Sequence, residues 1–132
     1  LDNARNIDAL DNVFLGVRLL HYQKPINGLA LIIGLHAASN DIESVKLIRY
    51  LLKKVPGEVI FVPLANNEPC HNPQDLAIIA KDMNIRAQIC ADFTEAFEIA
   101  TRNVDERDGL VVVSGSQNMV SEYWRNRGIK KF

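Results

Sequence analysis

Leu29-Ala30-Leu31-Ile32-Ile33-Gly34-Leu35 is an unbroken apolar run of seven residues in a chain of 132. A strand with one wet face alternates apolar and polar side chains. A strand that does not alternate has both faces covered, as in the interior of a parallel sheet. The run is also far short of the roughly 20 residues that a membrane-spanning helix needs. It therefore reads as a central strand of an α/β domain.

The flanks agree with that reading. Upstream, Lys24-Pro25-Ile26-Asn27-Gly28 is a chain breaker. Before it, Ala9, Leu10, Val13, Phe14, Val17 and Leu20 recur at helical spacing, which predicts a helix over Asp8–Tyr22. The opening Leu1-Asp2-Asn3-Ala4-Arg5-Asn6-Ile7 lacks an initiator Met. It reads as the tail of a strand followed by a polar turn, Asp2 to Asn6. Downstream, Ser39 or Asn40 is suited to cap a helix by accepting a bond from an unpaired N–H. Ile42, Val45, Ile48, Leu51 and Leu52 form that helix's expected buried stripe, and Pro56-Gly57 ends it.

The pattern then repeats. Glu58 to Val62 is a predicted strand, followed by a polar loop from Ala65 to Asn72. Pro73 suits the first turn of a helix reaching about Met83. Ala87 to Cys90 is a short strand, and Thr94 is the expected cap of a helix to about Asn103, with Phe97 and Ala100 facing inward. Asp108-Gly109 is a turn, Leu110 to Val113 another buried strand. Met119, Val120, Tyr123 and Trp124 mark the apolar side of an expected last helix. Strands alternating with helices imply a three-layer, Rossmann-like domain. Its mostly parallel sheet has about five to six strands, with helices on both faces. Ligands of such sheets bind beyond the carboxyl ends of the strands. The candidate loops are thus Asp2 to Asn6, His36 to Asp41, Pro63 to Asn72, Ala91 to Phe93, and Ser114 to Gln117.

Composition bounds the chemistry. One domain is expected from the length. Fifteen basic and 16 acidic residues leave a net charge of −1, which gives no electrostatic case for nucleic acid or an anionic membrane. Cys70 and Cys90 cannot form a disulfide scaffold. With no signal-peptide layout, two reduced thiols point to the cytoplasm. The chain contains neither the P-loop pattern Gly-x-x-x-x-Gly-Lys-Ser/Thr nor a Gly-x-Gly-x-x-Gly after a strand. His21, His36, His71 and Cys70 share no metal-ligand spacing, so no metal is expected. Ser114-Gly115-Ser116 lies between a buried strand and the expected last helix. Ser116 suits helix capping there, and free N–H groups beside a glycine also suit an anion.

Four segments together resemble the C-terminal domain of folylpolyglutamate synthase and dihydrofolate synthase, in the Mur ligase superfamily. Leu1-Asp2-Asn3-Ala4-Arg5-Asn6-Ile7 is similar to that family's Asp-Gly-Ala-His-Asn-Pro segment. Gly34 through Ser39-Asn40-Asp41-Ile42-Glu43 resembles its Asp-Lys-Asp segment. Asn66-Asn67-Glu68-Pro69, then Asn72-Pro73-Gln74-Asp75-Leu76, resembles its Asn-Pro-Arg loop and following helix start. Val113-Ser114-Gly115-Ser116, with Met119-Val120 behind it, resembles its closing Thr-Gly-Ser segment. The chain departs from the family at Asn3, Arg5, Ile7, Ser39, Asn40 and Glu68-Pro69.

The resemblance implies that residues 1–132 are one domain of a longer chain whose ATP-binding P-loop domain precedes it. It implies an ATP-dependent ligase of folate biosynthesis, joining L-glutamate to a folate or dihydropteroate carboxylate through an acyl phosphate. ATP and Mg²⁺ are then held mainly by the P-loop domain, and residues 1–132 alone are inactive. Asp2, Arg5 and Asn6 are the implied nucleotide-binding residues. His36, Asp41, Ser114 and Ser116 are the implied substrate-side residues. A Mur-type ligase with another substrate and a non-catalytic ligand-binding module are the alternatives.

Overall fold

The structure is a computed structural model. It describes the backbone of residues 3–37, 39–64, 69–104, 109–114, 120–124 and 128–131, and side chains between Leu10 and Val113 within those ranges. The elements in chain order are α1 (Asn3–Gln23), β1 (Leu29–Ile33), α2 (Asp41–Lys54), β2 (Gly57–Phe61), α3 (Pro73–Asp82), β3 (Ala87–Ile89), α4 (Phe93–Asn103), β4 (Leu110–Ser114), β5 (Val120–Trp124) and β6 (Gly128–Lys131). They build one six-stranded sheet in the order β3-β2-β1-β4-β5-β6.

All five residues of β1 are buried. The strand lies between β2 and β4 and runs parallel to both. Its side chains divide by the two-residue period of a strand. Leu29, Leu31 and Ile33 join a core with Val59, Phe61, Leu110 and Val112 and with apolar residues of α1, α2 and α3. Ala30 and Ile32 join a second core with Ile60, Val111 and Ala96 and Ala100 of α4. The helices thus cover both faces of an α/β, Rossmann-like sheet.

The parallel part of that sheet has four strands, β1 to β4, rather than five to six. β5 and β6 extend it antiparallel from β4. Val120–Trp124 is therefore a strand and not the expected last helix. Val120, Tyr123 and Trp124 match a helical period over little more than one turn. Their β-branched and aromatic side chains favour an extended backbone, and the open edge of β4 offers partners for the backbone groups of one side of β5, with β6 on the other.

The opening also differs. α1 begins at Asn3, so the backbone of Arg5 and Asn6 is helical and does not form a turn after a strand. Asp2 lies outside the described residues. Farther along, Leu10, Val13, Phe14 and Val17 are buried at the expected spacing. In α2, Val45, Ile48 and Leu51 are buried, whereas Ile42 is half exposed because it sits at the solvent end of the first turn. Asn40 is the cap: its Oδ1 accepts from the Glu43 N–H at 2.9 Å. α4 is capped by Asp92, whose Oδ1 accepts from the Glu95 N–H at 2.9 Å, so Thr94 lies inside the helix.

Two glycines make the β1 region possible. Gly57 is in register with Leu29, and a Cβ added there would lie 2.2 Å from the Leu29 carbonyl oxygen. Gly28 has φ 98°, and its carbonyl accepts from the Leu110 N–H at 3.0 Å, starting the β1–β4 ladder. Left-handed backbone of this kind is inexpensive only for glycine. Gly57→Ala is expected to destabilise the fold by about 3 kcal/mol through forced overpacking, and Gly28→Ala by about 1 kcal/mol. Urea unfolding of the two variants checks both the size and the order of these effects.

Candidate functional site

β1, β2 and β4 end level with one another. Ile33 is in register with Phe61 on one side and with Ser114 on the other. β2, β3 and their connecting helices extend the sheet to one side of β1, and the chain then crosses back to β4 on the other. The reversal makes the β1–β4 junction the switch point at which two outgoing loops diverge. That is where open α/β sheets leave a crevice for ligands.

The loop leaving β1 is tied to the loop entering α3. The Ala37 N–H donates to the Pro69 carbonyl at 3.0 Å, and the His71 N–H donates to the Leu35 carbonyl at 2.9 Å. His36 and Cys70 form an isolated antiparallel bridge between the two segments. The His71 ring closes the far end, with Nε2 2.6 Å from the Ser39 carbonyl oxygen. Because a carbonyl only accepts, Nε2 carries the proton. Gly34 packs tightly against this arrangement: an added Cβ would lie 2.9 Å from Leu64 Cδ2. Three anchors on a short stretch hold the rim of the crevice in one shape, the condition for a preorganised site.

The sequence-derived candidates fall unevenly on this edge. His36 is half-buried on the β1 loop. Asp41 opens α2, and its carboxylate accepts from the neighbouring Ile42 N–H at 2.7 Å, so one oxygen is engaged locally. Ser114 is the last residue of β4, in register with Ile33. His36 and Ser114 are thus brought to adjacent strand ends, with Asp41 at the end of the same loop as His36. Ser116 lies outside the described residues, as do the side chains of Arg5 and Asn6. His71 was not among the candidates. Its participation depends on a contact across 32 residues, which no local pattern reveals.

No family model, curated protein or solved structure matches this chain.

The two thiols differ. Cys70 is half-buried in the clamped loop, and Cys90 is buried where β3 ends. Burial pushes the Cys90 thiol above its ordinary value, and the Glu95 carboxylate, which accepts from it, and nearby Asp92 push in the same direction. The raised value favours the folded state fully below the ordinary thiol range, and that contribution declines as pH rises through the folded value. Among the described residues no group of three His, Cys, Asp or Glu side chains is placed to hold a metal ion. No helix among them is long and apolar enough to cross a membrane.

Alkylation at pH 8 is expected to label Cys70 well before Cys90, since only a thiolate reacts; mass spectrometry of timed samples reads the order. His71→Ala is expected to speed amide exchange of Ala37 and Ser39 about tenfold, the loss of roughly one buried hydrogen bond. Exchange at Leu31 and Val59 should stay unchanged, as hydrogen-exchange NMR can resolve.

Proposed function

We propose that this chain is the C-terminal domain of an ATP-dependent acid–amino-acid ligase of the folylpolyglutamate and dihydrofolate synthase type. The observation that carries the reading is a convergence. Three of the segments that resemble the family come from separate parts of the sequence. In the chain they follow β1, β2 and β4, three adjacent parallel strands whose carboxyl ends share one edge of the sheet. A ligand-binding domain that closes over a second domain needs its recognition loops on one edge in this way.

In such a reaction the γ-phosphoryl group of ATP passes to a carboxylate oxygen of the folate or dihydropteroate, and ADP leaves. The α-amine of L-glutamate attacks the acyl carbon, loses a proton and expels inorganic phosphate as the amide forms. The role proposed for this domain is to position and enclose. His36, Asp41 and the Ser114-Gly115-Ser116 segment face the substrates, while Asp2, Arg5 and Asn6 approach the nucleotide. A guanidinium at Arg5 suits a phosphate or carboxylate, which it engages through two parallel bonds. Closure keeps water from the acyl phosphate. Mg²⁺ supplies charge neutralisation to the phosphates when bound. The resemblance assigns it, with ATP, mainly to the P-loop domain.

One observation favours a second reading, a ligand-binding module without turnover. Asn40 stands where the resemblance has a lysine, and its side chain is used to cap α2. A cap that accepts an N–H does not supply a positive charge to an acyl phosphate.

The test uses the full-length protein that contains this chain, with Mg²⁺–ATP, L-glutamate, and dihydropteroate or a reduced folate. The ligase reading predicts ADP release that requires both co-substrates, and a hydroxamate when hydroxylamine replaces glutamate. ATP turnover indifferent to glutamate and pterin, or none at all, removes the ligase reading and leaves the binding module.

A further inference from the structure

A cavity lies at the opposite edge of the sheet from the candidate site. It has a volume of about 650 Å³ and is lined by residues at the amino-terminal ends of β1 and β2, the carboxyl ends of α2 and α4, and the turn from α3 to β3. That volume lies within the ordinary range of small-molecule sites. It contains Glu58, a carboxylate only 8% exposed.

Glu58 is unusually placed. The ends of α2, α3 and α4 at this cavity are their carboxyl ends, represented in its lining by Lys53, Met83 and Asn103. Helix carboxyl ends carry partial negative charge and favour cations. By the strand's two-residue period Glu58 lies on the α4 face of β2, opposite to α2 and α3, and a buried carboxylate at the α4 carboxyl end is opposed by its surroundings unless something positive or hydrogen-donating faces it. Two amides do so from one side: Gln88 Nε2 donates at 3.1 Å and Asn103 Nδ2 at 3.2 Å. Both bonds go to the same oxygen, Oε1. Oε2 has no partner among the described residues, and Glu58 makes no ion pair with any of them. One oxygen is thus held by two amides, and among the described residues the other is held by none.

The rim has the opposite character. Arg49, Lys53 and Arg86 line it, all exposed, with Arg49 and Lys53 one helical turn apart on α2. Guanidinium groups suit a carboxylate or phosphate. The cavity therefore offers one buried negative anchor and several positive groups at its mouth.

We propose that this amino-edge cavity binds a small zwitterion, a molecule carrying a primary ammonium and an anionic group. The ammonium reaches Glu58 Oε2 and the α4 carboxyl end, and the anionic group meets Arg49, Lys53 and Arg86. The site is independent of the carboxyl edge and of the ligase reading, since it shares no residue with either.

Isothermal calorimetry on this chain provides the test, with four probes: L-glutamate, phosphoethanolamine, glutarate and butylammonium. At least one of the two zwitterions is expected to bind ten times more tightly than glutarate and than butylammonium. The choice between L-glutamate and phosphoethanolamine tells carboxylate from phosphate. Glu58→Gln preserves an oxygen for Gln88 and Asn103 and removes the charge. It is expected to weaken the zwitterion at least tenfold and to leave glutarate unchanged. Arg86→Gln, at the exposed rim, should weaken zwitterion and glutarate alike, which keeps the test decisive if the Glu58 variant does not fold. Equal binding of zwitterion and glutarate, no binding of either zwitterion at 10-mM probe (about −2.7 kcal/mol by the affinity scale), or zwitterion binding that neither variant weakens overturns the proposal.

Discussion

β1 is paired along both edges and covered on both faces, and every neighbouring element takes its position from it. Burial of a five-residue apolar strand removes several large side chains from water, each worth about 1.5–3 kcal/mol. That gain is available only if backbone groups are paired at the same time, because an unpaired buried amide costs about as much as one side chain returns. β2 and β4 supply the partners. Their approach depends on Gly57, whose missing side chain lets β2 start against Leu29, and on Gly28, whose left-handed backbone directs its carbonyl to Leu110.

From this constraint both edges of the sheet follow. Parallel strands bring their carboxyl ends together, so Ile33, Phe61 and Ser114 become neighbours although they are far apart in sequence. The same parallel order gathers the carboxyl ends of α2 and α4 and the α3–β3 turn at the amino edge, where Glu58 sits. One edge offers a clamped loop held by His71 and adjacent strand ends. The other offers a cavity with a buried carboxylate and a basic rim. The polarity of an α/β sheet makes the two edges chemically unlike, and this chain has placed polar groups at both.

The parts legible in the sequence were those carried by local periodicity. The run from Leu29 to Leu35 announced a strand buried on both faces, and the spacing of Leu10, Val13, Phe14 and Val17 announced the covering helix. Pro73 after Asn72 marked the start of α3 where it occurs. The parts that were not legible depend on pairing at a distance. Val120–Trp124 became a strand because β4 had a free edge, a fact about the assembled sheet. Asp92, rather than Thr94, caps α4 because the helix starts two residues earlier than the hydroxyl suggested. Glu58 looked like an ordinary polar residue at a strand end. Its importance appears only when Gln88 and Asn103, 30 and 45 residues away, meet the same oxygen.

The central functional claim is that the carboxyl edge of β1 and β4 receives nucleotide and substrate. Heteronuclear NMR of the 132-residue chain titrated with millimolar Mg²⁺–ADP tests it residue by residue. Shifts at Arg5 and Asn6, extending to His36 and Ser114 at the same edge, with Gly57 and Arg86 unmoved, are the result this account predicts. No shifts, or shifts confined to Gly57 and Arg86, would contradict it.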